Sequence, residues 1–214
     1  MTAQTFDTPL SQPAQLRRTA VLTWLELPRV AVIGLVWVAL ALPLLTGFFG
    51  VPWLLVALAA LPSCLFATGF ARFAATLARG GRPRLRDAFR IDVVLGGTIE
   101  VGVLVAAAML ATGGAFIIPG ALLAAVLLLV VPIALAYGAV RERAGLSAWR
   151  GGLILVAYRP GSALTLLALN CLAGFAIVAS LGTLGLVLPS WLLAYASAGV
   201  SAQLDGIDRQ SGTP

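Results

Sequence analysis

The sequence predicts an all-α fold: a polytopic transmembrane bundle of six helices with two short interfacial amphipathic helices. Three observations lead there. Of 214 residues, 60% are hydrophobic and only 10% are charged, whereas a water-soluble domain places charge at roughly a quarter of its positions. The mean hydropathy is +1.02. Apolar runs recur at about 20 residues, the length a helix rising 1.5 Å per residue needs to cross about 30 Å of hydrocarbon.

Taken in order, residues 1–20 are polar and hold only Arg17 and Arg18 as basic residues, which reads as a flexible cytoplasmic tail rather than a signal peptide. The stretch VLTWLELP then puts Leu22, Trp24 and Leu25 at a membrane surface, with Glu26 and Arg29 beside them, as an interfacial lead-in. The six expected spans are residues 30–47, 51–77, 93–112, 115–140, 161–180 and 184–202, joined in pairs by turns around residues 46–50, Gly113-Gly114 and Leu181-Gly182-Thr183. The transmembrane domain is thereby 21–203, with 204–214 a second cytoplasmic tail. Pro43, Pro62, Pro119 and Pro132 lie within spans or at their rims and are expected to break or kink them.

The charges check this map. All 14 basic residues are Arg, a usage that, with abundant Ala and Leu, points to a GC-rich bacterial genome. Arg17, Arg18 and Arg29 precede the first span, Arg72 to Arg90 cluster around the connection after the second, and Arg141, Arg143, Arg150 and Arg159 follow the fourth. Arg209 is in the tail, and the three opposite connections hold none. Because Lys and Arg in short loops set orientation, both termini are expected in the cytoplasm of a bacterial inner membrane. The net charge of +6 then reads as topology and contact with anionic lipids, not as a nucleic-acid groove.

Two basic connections have their own pattern. In RLRDAFRI, Leu85, Ala88 and Phe89 recur at helical spacing among Arg84, Arg86, Asp87 and Arg90, as in a short helix lying among lipid headgroups. In GLSAWRGGL the apolar members are Leu146, Trp149 and Leu153, beside Arg150, with Ser147 available as an N-cap. These helices either anchor loops or form a cytoplasmic platform for a partner. Ala88-Phe89-Arg90 also matches Ala148-Trp149-Arg150, a possible parallel repeat.

Chemistry is sparse. The absence of His removes imidazole-ligated metals and Ser-His or Cys-His nucleophile pairs, and no Lys is present for a phosphate-cradling loop. No metal, cofactor or catalytic residue is expected, and Cys64 and Cys171 read as packing residues. The polar residues expected at depth are Glu100, Arg72 and Asn170. Glu100 lies eight residues beyond Asp92 and Arg72 seven before Arg79, which puts both about 10 to 12 Å inward. Three readings stay open: a Glu100–Arg72 ion pair fixing helix register, a substrate or proton site, or a snorkelling Arg72 with Glu100 protonated. Asn170 is expected to hydrogen-bond across helices. Glycine pairs such as Gly96-Gly97 and Gly151-Gly152 permit close approach.

The run PSCLFATGFAR ending at Arg72, the following LARGGRPRLRDAFR, and the later SAWRGGLILVAYRPGSALTLLAL with its Arg-Pro step into the fifth span resemble the YesL-like family of bacterial integral membrane proteins. The resemblance covers residues 62–202; residues 48–61 depart from it with a longer turn and second span. It implies an accessory component of a bacterial carbohydrate-type transport system, working beside ABC transporter subunits, and carries over no catalytic residues; the reading of the chain as a whole is a non-enzymatic membrane protein whose partners are such subunits or further copies of itself by self-association. The alternative from the residues themselves is an independent small-solute carrier or channel with a midplane site near Glu100.

Overall fold

The computed structural model describes residues 12–41, 53–180 and 183–210. Among them there are eight α-helices and no strand: α1 (Gln12–Leu25), α2 (Leu27–Ala41), α3 (Trp53–Ala78), α4 (Val93–Thr112), α5 (Ile117–Arg141), α6 (Leu146–Tyr158), α7 (Pro160–Ala179) and α8 (Leu188–Gln210). Short 3-10 turns at Leu85–Phe89, Gly114–Phe116 and Thr183–Leu186 link α3 to α4, α4 to α5 and α7 to α8. The all-α expectation is met. Judged by length and composition, four of the described helices can cross a membrane, or five if the bent pair α1–α2 counts as one.

The chain turns by 90° between α1 and α2, where Glu26 accepts an ion-pair hydrogen bond from Arg29 at 2.7 Å. Helix α1 begins inside the segment expected to be a tail and packs on α8, with Thr19 and Thr23 buried and their hydroxyls donating to backbone carbonyls of their own helix. Leu16 of α1 packs on the same apolar cluster as Leu204 and Ile207, so the second expected tail is also in part an ordered extension of α8. Trp24 and Leu25 remain 74% and 70% exposed, as a surface-lying segment requires.

The α4 span matches its expected limits, and α5 and α7 match theirs within two residues. Pro62 and Pro132 do not break α3 or α5, each of which runs continuously through its proline. Pro43, the 46–50 turn and the far end of the first expected span lie outside the described residues. Helix α8 falls short of the criterion for a span, because its second half carries Gln203, Asp205 and further polar residues. It lies inside the bundle, with Ala194, Ala196 and Val200 all at most 5% exposed.

Three apolar clusters hold the bundle together. One joins Val30 and Ile33 of α2 to Phe66, Phe70, Phe73 and Leu77 of α3, and to Ala194 of α8. The second joins α3, α4, α5 and α6, and the third joins α5, α6, α7 and α8. Helices α3, α5 and α8 are therefore central. The outward sides of α4, α5 and α7 stay apolar and uncovered, with only 28%, 17% and 17% of their apolar windows buried. Ile118, Leu122, Val101 and Phe175 are each at least 60% exposed, a surface suited to lipid or to another apolar partner.

Candidate functional site

The start of α4 ties three parts of the chain together. Asp92 occupies its N-cap, and its Oδ1 accepts from the Leu95 amide at 3.0 Å. Its Oδ2 accepts from the Gly145 amide at 2.7 Å, and its own amide donates to the Thr68 hydroxyl at 2.9 Å. Asp92, 9% exposed, thus joins α4 and the α5–α6 connection through its carboxylate and α3 through its amide, and the carboxylate satisfies amides that a helix start otherwise leaves unpaired. Four residues on, Gly96 brings α4 so near α3 that an added Cβ would stand 2.9 Å from the Leu65 Cα.

These contacts set an antiparallel register in which Thr68 faces Asp92, Leu65 faces Gly96, and Glu100 lies level with the residue 60–64 turn of α3. Glu100 is 5% exposed with the Cys64 thiol beside it, and among the described residues its carboxylate oxygens meet no nitrogen or oxygen donor. Arg72 does not supply one: no ion pair joins the two residues within 4.0 Å. The register gives the reason. The 85–89 turn folds back onto α3, so that Ala88 packs at Gly69, and Arg72 is level with that turn rather than with Glu100. The two residues are separated by about 12 helical positions, roughly 18 Å along α3. Equal depths, counted from the connection, assumed that it rises evenly from both helices.

Asn170 also departs from expectation. Its Nδ2 donates to the Leu166 carbonyl of its own helix at 2.8 Å and makes no hydrogen bond across helices among the described residues. Glu100, Arg72 and Asn170 lie on three helices, and no hydrogen bond or ion pair brings them together.

The first basic connection, expected as a short amphipathic helix, forms a five-residue 3-10 helix. Arg84, Arg86 and Arg90 are exposed, and Phe89, 56% exposed, meets Phe66 edge-on at 5.6 Å between ring centroids. The second connection holds all of α6, which folds back antiparallel along α5. Ala148 packs at Gly138, and Gly152 approaches the Ala134 backbone so closely that a Cβ would lie 2.8 Å from its Cα. Trp149 is half-buried, its Nε1 donating to the Thr98 hydroxyl at 2.7 Å, while Arg150 stays exposed. The N-cap of α6 is Gly145, at φ 58°, and Ser147 instead donates to the Ala144 carbonyl at 2.7 Å. The two matching triplets share one feature: each alanine is fully buried against a glycine of the preceding helix.

A cavity of about 520 Å³ opens where α1, the end of α3, the α6–α7 junction and α8 meet. Arg18, Arg79 and Arg159 line it, whereas Glu100, Arg72 and Asn170 do not. In the sequence Arg18, Arg79 and Arg159 mark orientation only, because their convergence depends on how α1 and α8 pack. Comparison with family models, with curated proteins and with solved structures finds no match for this chain.

Proposed function

We propose that this chain is a non-enzymatic integral membrane protein that assists a bacterial carbohydrate-type transport system, with six membrane passages and both ends in the cytoplasm. The observation that carries this reading is the contrast between a filled centre and bare flanks. Phe66, Phe70 and Phe73 pack the interior at 3% exposure or less, while long apolar faces of α4, α5 and α7 are left for lipid and for the helices of a partner. The confinement of Arg to the chain's two ends and to the connections after the second and fourth expected spans supports the orientation. The YesL-like pattern of residues 62–202 supports the transport setting. The test is purification from native membranes in mild detergent. ABC transporter subunits recovered in stoichiometric amount are the expected result, and a lone protein that moves solute in liposomes would overturn the reading.

One observation favours a second reading, a small-solute carrier. A buried carboxylate that meets no nitrogen or oxygen donor among the described residues is the kind of group that carriers use to hold a proton or a cationic solute. That reading requires Glu100→Gln to abolish uptake into proteoliposomes.

A further inference from the structure

We propose that the cavity at the Arg-bearing end of the bundle binds the phosphate headgroup of an anionic phospholipid. The inference rests on the reading of the chain as a membrane protein and is independent of its role beside a transporter.

Three cations from distant parts of the chain converge there: Arg18 of α1, Arg79 just beyond α3, and Arg159 at the break between α6 and α7. Among the described residues that line the cavity, these three guanidinium groups stand against one carboxylate, Asp205 of α8. The Arg79 Nη2 donates to the Val140 carbonyl at 2.8 Å, which fixes its guanidinium beside the end of α5 and leaves that group further N–H donors. Helix α7 starts at the rim. The Ser162 hydroxyl donates to the Arg159 carbonyl at 2.9 Å and accepts from the Gln203 Nε2 at 2.9 Å, which locks the first turn of α7 to α8. The positive dipole end of such a turn adds to the attraction for an anion.

The inner wall is of another kind. Ile133, Leu166, Tyr195 and Val200 line it, each at most 7% exposed. A cationic rim above an apolar wall fits an amphiphile, phosphate outward and hydrocarbon inward, better than a free phosphate ion. Basic recesses between membrane helices recognise acidic headgroups in this way, and guanidinium groups pair with phosphate through two parallel hydrogen bonds. The volume, about 520 Å³, is ample for a headgroup and its first carbons.

The experiment titrates the full-length protein, in neutral detergent, with phosphatidylglycerol and with phosphatidylcholine and counts bound lipid by native mass spectrometry. The expected result is preference for phosphatidylglycerol by about tenfold, weakened about fivefold or more by Arg159→Gln and by Arg18→Gln. Arg159→Lys keeps the charge and should fall between, and it carries the test if Arg159→Gln does not fold. Arg82→Gln, an exposed arginine outside the cavity, should leave the preference unchanged. Equal loss in Arg82→Gln, or no preference for the anionic lipid, would overturn the site. Displacement of the lipid by millimolar inorganic phosphate would overturn the lipid as its source and leave a soluble phosphate compound as the ligand. Failure to recover transporter subunits would sink the accessory role alone, whereas a protein monodisperse without detergent would sink the membrane reading and this inference together.

Discussion

Asp92 shows how much one side chain can hold. It caps α4 and anchors the Gly145 amide, so Asp92→Ala removes both acceptors and should destabilise the protein by roughly 2 to 4 kcal/mol. Asp92→Asn, which keeps one carbonyl oxygen, should lose about half as much; thermal unfolding in detergent measures both. An Asp directly before an apolar helical run is legible as an N-cap. Its partners Thr68 and Gly145 are not, because they lie 24 and 53 residues away and depend on how the connections fold back. Glu100 was legible as a buried carboxylate, but its pairing was not. With no ion pair to lose, Glu100→Gln should leave stability unchanged or raise it by about 1 kcal/mol. Its effect should add to that of Arg72→Gln within about 0.5 kcal/mol in a double-mutant cycle. A coupling well above that value would restore the pair.

At the scale of elements, periodicity and length located α4, α5 and α7 almost to the residue, since twenty apolar residues between turn signals leave few alternatives. Helices α1 and α6 were harder to read. α6 was expected to lie flat in the headgroup layer, but Gly151 and Gly152 let it press lengthwise on Tyr137 and Ala134 of α5. Gly152→Leu should therefore cost about 2 kcal/mol or more by forcing the pair apart, visible as a lower melting temperature. At the end of α5 the C-cap is Glu142, at φ 52°, a left-handed conformation that glycine adopts without a Cβ clash. Exposed Glu142→Gly is expected to raise stability by about 0.5 to 1 kcal/mol, measured by the same melt.

For the whole molecule, the one-sided distribution of Arg was plain from the sequence and predicts a labelling pattern. In a background of Cys64→Ala and Cys171→Ala, a cysteine placed by Arg143→Cys should react with an impermeant maleimide only after the membrane is opened from inside. One placed by Thr112→Cys should react in intact cells. The reverse pattern would invert the topology. The offset between α3 and α4 was not legible, because hydropathy reports how long each helix is and not where its neighbour begins.

Helix α8 closes the interior against helices made far earlier. Ala194 seals the cluster of Phe70, Phe73 and Leu77, and α8 is also the main neighbour of α1. During synthesis helices α2 and α3 must wait, their aromatic side partly bare, until α8 has been made. Such long-range closure makes assembly slow and leaves the unfinished chain open to quality-control proteases. A messenger truncated before residue 188 would yield a product discarded as a whole, not a working protein one helix short.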